Sequence, residues 1–296
     1  MASESILAVG TDIDDEIVEF CNGFPTLQPA AVVRDIARIV CIANLVRNGT
    51  LDGKNMVLCG GMAMRCLESP RMSIYDGDTA SRIAVDPEAL RLAISYDEPE
   101  IAIAVEGVEP GKDLITFQPV TYTARFSELP GARDQFSLSV AHRGIELPSV
   151  TRTLHHRYPF PLLAEEVEVP IMHPDEILAE KIVAWWLFGH AKHYNDIAFL
   201  GILLGASEQH MDPRTHKRVQ DVVEEKLAVN AKVSERHKYL VEGLTPGERQ
   251  RRLTDPDGHV DPKRSFDLLS FFLGERPSLA TLKMSVDRYV MPVLFQ

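Results

Sequence analysis

The sequence predicts an α+β protein: an N-terminal half built on a mixed sheet, followed by an all-helical C-terminal half. Three observations carry this. Short runs rich in Val, Ile and Thr, separated by Gly, Pro and charged turns, recur up to residue 172. Beyond His173 strand signals nearly vanish and runs of helical periodicity take over. The length of 296 residues suits two domains. We place the boundary near 172, giving an α/β domain over 1–172 and a helical domain over 173–296.

In chain order, Pro29 to Asn48 reads as a helix. Val32, Ile36, Ile39, Val40, Ala43 and Val46 form its apolar stripe, and Gly49 ends it. Asn55–Cys59, bounded by Gly53 and Gly60, reads as a buried strand. Gly60 and Gly61 then open a short helix, so this region is a strand–Gly-Gly–helix unit. Arg71 to Val85 reads as loop, strand, loop. Pro87–Ser95 is helical, with Glu88 in the first turn. Ile101–Val105, Leu114–Thr123 and Phe136–His142 read as sheet strands. Val167–Met172 adds another, placed at an edge because Pro170 lacks the ladder N–H. Pro174–Gly189 is a helix with Pro and acids in its first turn. Asp196–Leu204, Arg214–Val233, Lys263–Leu273 and Leu279–Leu294 are further helix candidates.

Composition narrows the function. Hydrophobic residues at 45% and charged residues at 25% are globular values, which argues against disorder of the whole. The net charge of −12 excludes a basic nucleic-acid coat and a polybasic membrane anchor. Nearly all of it, −11, lies before residue 171, so any polyanion is expected on the second half. There Arg214, Lys217, Arg218, Arg236, Lys238, Arg249, Arg251 and Arg252 form three basic clusters. They are either solvated helix faces or an RNA-binding surface. The four cysteines (21, 41, 59, 66) contain no CxxC, so neither a disulfide framework nor a zinc ribbon fits. Buried, reduced thiols are expected. The acidic N-terminus does not read as a signal peptide, and no run of about 18 apolar residues occurs, so the expected location is cytoplasmic, away from membranes.

Leu58–Asp78 carries the most chemistry. A strand delivers Gly60 and Gly61, a helix begins there, and fifteen residues after Gly61 two aspartates stand at i and i+2, Asp76 and Asp78. On a strand that spacing puts both on one face. Two carboxylates suit Mg²⁺, which commonly takes one or two of them plus substrate phosphates. The glycines let backbone approach a phosphate closely. These are parts for nucleotidyl transfer. The plainer alternative is an acidic hairpin turn at Asp-Gly. In the second half, Lys181 stands among Ile177, Leu178, Ile182, Val183, Trp185 and Trp186, and Asp196 follows fifteen residues later. A lysine on such a helix needs a partner or a task. Lys181 could meet a phosphate, and Asp196 could orient it or act as a base. The alternatives are a snorkelling Lys181 and an N-cap Asp196. The His190/His193 pair lacks a third zinc ligand, and Trp185-Trp186 reads as core rather than a base-stacking platform.

In order and spacing these motifs resemble the AbiEii/AbiGii-type nucleotidyltransferase toxin family, which includes the mycobacterial MenT toxins. Gly60-Gly61-Met62-Ala63-Met64 resembles its glycine-pair motif, and Arg71-Met72-Ser73 with Asp76-Gly77-Asp78 resembles its Arg-x-Ser/Thr and Asp-x-Asp. Glu180-Lys181-Ile182 resembles its helical Glu-Lys, and Asn195-Asp196-Ile197 the second aspartate of its Asp-x-x-Asp. The resemblance implies a nucleotidyltransferase-like sheet core, with the helical domain completing the active site. It implies Mg²⁺-dependent transfer of a nucleotide from an NTP to an RNA acceptor, with the tRNA 3′ end foremost, in a toxin–antitoxin pair. Carried over, Asp76 and Asp78 bind Mg²⁺, Gly60, Gly61, Arg71 and Ser73 lie beside the triphosphate, Lys181 contacts phosphate, and Asp196 completes the site. This chain departs from the pattern at Met62, where the family has Ser or Thr, and at His193, where it has the first aspartate. The strand Phe136–His142 also offers no third carboxylate. The rival reading is a degenerate member that binds nucleotide or a partner protein without turnover.

Overall fold

The computed structural model describes residues 5–10, 12–24, 27–71, 76–111, 114–142, 144–188, 191–204, 212–233, 277–290 and 293. The chain divides into two compact units, Met1–Met172 with Phe271–Gly274, and His173–Ser270 with Glu275–Gln296.

The first unit is built on one mixed sheet. Its strands are β1 (Met56–Cys59), β2 (Asp76–Ser81), β3 (Tyr96–Asp97), β4 (Ile101–Val105), β5 (Val108–Pro110), β6 (Leu114–Ala124), β7 (Arg133–His142), β8 (Val150–Thr153) and β9 (Glu168–Ile171). They lie in the order β3-β4-β6-β7-β2-β1-β9-β8, with β5 paired to β6. The pairs β2–β7 and β1–β9 are parallel and the others antiparallel. In β7 Phe136, Leu138 and Val140 are buried while the residues between them are not, the period-two pattern of a sheet with one face on a core. Helix α2 (Pro29–Arg47) supplies much of that core. It is buried nearly all round, from Ala31 to Leu45, and carries two charged residues inside, Asp35 and Arg38. Helices α3 (Gly60–Cys66) and α4 (Pro87–Ile94) follow β1 and β2.

Several elements differ from the sequence expectations, among them the two- and three-residue strands β3 and β5, which are too short to carry a pattern. Helix α1 (Ile13–Asn22) was hidden by its acids, yet Ile13, Ile17 and Cys21 recur every four residues and are buried. β8 is too short to announce itself. Because of β8, β9 is not an edge strand: it lies between β1 and β8. Pro170 is tolerated there because β1 joins β9 past the proline, at Leu58↔Ile171, where the Met172 N–H donates to Leu58 O (2.9 Å). All four cysteines are buried and free. Burial pushes the Cys41 and Cys66 thiols up to about 12, so they stay protonated and inert at neutral pH.

The described part of the second unit is helical: α5 (Pro174–Phe188), α6 (Ala191–Leu203), α7 (Pro213–Val233) and α8 (Leu279–Tyr289). Helix α5 is largely apolar, with Ile177, Leu178, Ile182 and Trp185 buried, as expected of a helix enclosed by neighbours. Its acids are answered from α7. Arg218 donates to the buried Asp175 (2.6 Å), and Lys226 donates to Glu176 (2.8 Å) and Glu180 (3.2 Å). The helix candidate Lys263–Leu273, the end of the last one at Leu294, and His190 lie outside the described residues. Among the described residues no helix is long and apolar enough to cross a membrane.

Candidate functional site

In the first unit the backbone brings Gly60 against Asp78. β1 and β2 run antiparallel with Cys59 opposite Asp78, and α3 starts at the next residue, Gly60. The turn from strand to helix needs φ = +62° there, a left-handed conformation that favours glycine. The space needs glycine as well, because a Cβ at this position would collide with the Asp78 carboxylate. Gly60→Ala is therefore expected to lower stability by about 2–4 kcal/mol, combining backbone strain with the collision. Chemical denaturation would measure it. The double variant with Asp78→Ala should recover only the carboxylate part of the collision, because the Cβ of residue 78 stays 2.7 Å away, and it should retain the strain part.

Position 76 precedes Asp78 by two residues on β2, so both stand on the same face of the sheet. Gly77, on the opposite face, is buried against Leu138. The parallel neighbour β7 places Ser137 beside Asp76 and Ser139 beside Asp78. Two serines therefore occupy the register positions flanking the aspartates, and no acid does. The alternation Phe-Ser-Leu-Ser over 136–139 was the sequence signal for this, visible only once the register was known. Arg71 is described, with its N–H donating to Ser69 Oγ (3.3 Å), whereas Ser73 lies outside the described residues.

In the second unit Lys181 on α5 and Asp196 on α6 form an ion pair, Nζ to Oδ2, at 2.8 Å. Asp196 is fully buried and Lys181 is 9% exposed, so Lys181 does not snorkel to solvent. Asp196 sits inside α6 and is not its N-cap. Asn195 Nδ2 donates to the second Asp196 oxygen at 3.5 Å. A carboxylate held on both oxygens fixes the lysine ammonium in one place. His193, one turn before Asp196, is buried on the same helix. Trp185 is buried edge-on to Tyr194, with centroids 5.7 Å apart, a core contact.

The basic clusters resolve unevenly. Lys217 donates to Asp221 and Arg218 to Asp175, while Arg214 is exposed at the start of α7. Arg236, Lys238, Arg249, Arg251 and Arg252 lie outside the described residues. A cavity of about 310 Å³ lies beside the end of α2, lined by Arg47, Glu165, Glu166 and Glu168 among others, and it includes none of the residues above. No group of three metal-ligating side chains occurs among the described residues.

Comparison with known proteins follows the same lines. Residues 45–267 match the family described as nucleotidyl transferase AbiEii toxin, type IV toxin–antitoxin system. MenT4, a nucleotidyltransferase toxin from Mycobacterium tuberculosis H37Rv, has a similar structure: TM-score 0.51 at 17% identity, over 95% of this chain and 99% of that one. A structure described as a putative nucleotidyltransferase from H. pylori matches at TM-score 0.42 and 15% identity, over 82% of this chain and 99% of that one. The likeness to MenT4 is one of fold. No curated protein sequence matches this chain.

Proposed function

This chain belongs to the AbiEii family of nucleotidyl transferase toxins, and we propose that it moves a nucleotide from an NTP to the 3′ end of a tRNA. The observation that carries the reading is the Gly60–Asp78 seat: a carboxylate fixed against a glycine turn, two residues after a second aspartate. The donors suit Mg²⁺, a hard cation that takes one or two carboxylates and leaves its other positions to phosphate and water. Asp76 and Asp78 would hold it. When bound, the metal supplies charge neutralisation at the phosphates.

The chain's own residues would do the rest. The Gly60–Gly61 backbone would admit the triphosphate without side-chain obstruction, and Arg71 and Ser73 would contact it. The helical unit would contribute Lys181, whose ammonium would contact a phosphate, and Asp196, which is paired with that ammonium. The acceptor hydroxyl would attack the α-phosphate, with pyrophosphate leaving. A cognate antitoxin is the expected protein partner, and the cytoplasm the place of action.

The decisive experiment incubates the protein with total tRNA, Mg²⁺ and each NTP in turn, labelled with ³²P at the α or the γ position. Transfer of α label alone is expected. Transfer of γ label would mean kinase chemistry. No label from either would favour the second reading, a member that binds nucleotide or partner without turnover. Ser137 and Ser139 beside the aspartates, in place of an acid, support that second reading.

The acceptor side makes a separate prediction. RNA affinity should fall with salt, and each lost phosphate contact should reduce the slope of log K against log salt by about 0.7–0.9. Arg214→Ala and paired Ala substitutions at Arg249 and Arg251 are expected to flatten the slope while NTP binding is unchanged. Arg218→Ala should instead lower stability by about 1–3 kcal/mol, because it strips a partner from the buried Asp175. Binding isotherms at several salt concentrations, with a melting curve for each variant, separate the two behaviours.

A further inference from the structure

Helix α3 is seven residues long and carries a buried guanidinium. Arg65, in its last turn, is 6% exposed. Its Nη2 meets Asp35 Oδ2 at 2.5 Å, and its Nη1 donates to the backbone oxygen of His156 at 3.3 Å. Asp35 comes from α2 and is fully buried. The same carboxylate oxygen accepts the Tyr158 hydroxyl at 2.5 Å, and Arg38 stands 3.8 Å from the other oxygen. Tyr158 is held by its rings: it stacks on Phe160 (5.2 Å, 2°) and meets Phe20 edge-on (5.2 Å, 85°).

The protonation states are set by this packing. Burial disfavours charge on Arg65, but Asp35 and Tyr158 more than offset it and raise its pKa. Burial, reinforced by Asp35, raises the Tyr158 phenol well above its ordinary value, so it remains a donor. An ion pair this deep is weak evidence for stability, since well-packed apolar residues often serve as well. It fixes geometry, however, because each partner has one place to go.

A second contact grips the same helix. Glu68 (φ 65°) and Arg157 (φ 57°) are the two non-glycine residues with positive φ among those described. Each is strained, and the Arg157 guanidinium donates to the Glu68 backbone oxygen. His156, Arg157 and Tyr158 thus hold α3 directly or through Asp35 at its C-terminal end. At its other end Gly60 abuts Asp78 with no room for a Cβ. A helix of two turns fixed at one end has little freedom at the other.

We infer that Asp35, Arg65 and Tyr158 form a buried positioning network that sets where α3, and through Gly60 the Asp78 carboxylate, sits. The inference rests on reading Asp78 as a metal ligand. It makes Arg65 and Tyr158 positioning residues that do not themselves touch substrate.

The test measures Mn²⁺ binding to the full chain by the electron paramagnetic resonance of free Mn²⁺, alongside a melting curve for each variant. Arg65→Lys is expected to weaken Mn²⁺ about tenfold, as changes behind a metal ligand commonly do, and Tyr158→Phe to weaken it in the same direction. Leu90→Ala, a core deletion on α4, should lower the melting temperature and leave Mn²⁺ affinity unchanged. If Arg65→Lys does not fold, Tyr158→Phe decides alone. Wild-type affinity in the folded variants, with Asp78→Asn abolishing binding, would overturn the network and leave the metal site standing. Wild-type affinity in Asp78→Asn would overturn the metal reading itself.

Discussion

Asp78→Asn is expected to lower nucleotidyl transfer by at least about a thousandfold while the protein stays folded. The amide matches the carboxylate in shape, so the fit against Gly60 survives, whereas the negative charge that would hold a divalent cation does not. Asp76→Asn, two residues earlier on β2, should behave alike. Two acids sharing one face repel each other without a cation, so either change should leave the metal-free melting temperature equal or higher. The metal-bound protein gives the opposite sign: millimolar Mg²⁺ should raise the melting temperature of the wild type and leave both variants unmoved. Label transfer from an α-³²P NTP, measured beside melting curves with and without EDTA, reads both effects. Retained transfer in both variants would remove Asp76 and Asp78 from the chemistry.

The candidate positions that stand out most clearly in the sequence share one property: their signal is local. Gly60-Gly61 after a short apolar strand, Asp-Gly-Asp, and a lysine in an apolar helix each stand out within a few residues. The reasons behind them are not local. That Gly60 must lack a Cβ follows from a β1–β2 register that places Asp78 against it. That Lys181 is paired follows from the packing of α5 on α6. Two helix-forming stretches give no hint which of their polar residues will meet. Asp35 and Arg65 were missed for the same reason, although one clue existed: Asp35 and Arg38 sit at i and i+3 among mostly apolar residues of one helix. Charges enclosed by apolar neighbours must find partners inside. β9 shows the converse error. Pro170 argued for an edge, and the argument failed because β8 adds a strand beyond it that four residues of sequence did not reveal.

Lys181→Met should fail twice, in stability and in turnover, and the two failures can be separated. Asp196 is fully buried and its oxygen Oδ2 lies 2.8 Å from Nζ. Removing the lysine strands a carboxylate in the interior, at a cost of about 3–5 kcal/mol. Asp196→Ala strands the ammonium in turn. The paired replacement, Lys181→Met with Asp196→Leu, removes both charges and fills a similar volume, so it should recover most of the lost stability. Turnover is expected to behave differently. If the ammonium contacts a phosphate, its loss removes about 2–4 kcal/mol of transition-state stabilisation, roughly 30- to 1000-fold in rate. The paired variant cannot restore that, because no cation is returned to the site. The expected result is a double variant with near-native melting and single-variant turnover. Near-native turnover in the double variant would make the pair a structural strut between α5 and α6. Recovery of neither property would mean that the buried charges also fix how the two helices pack.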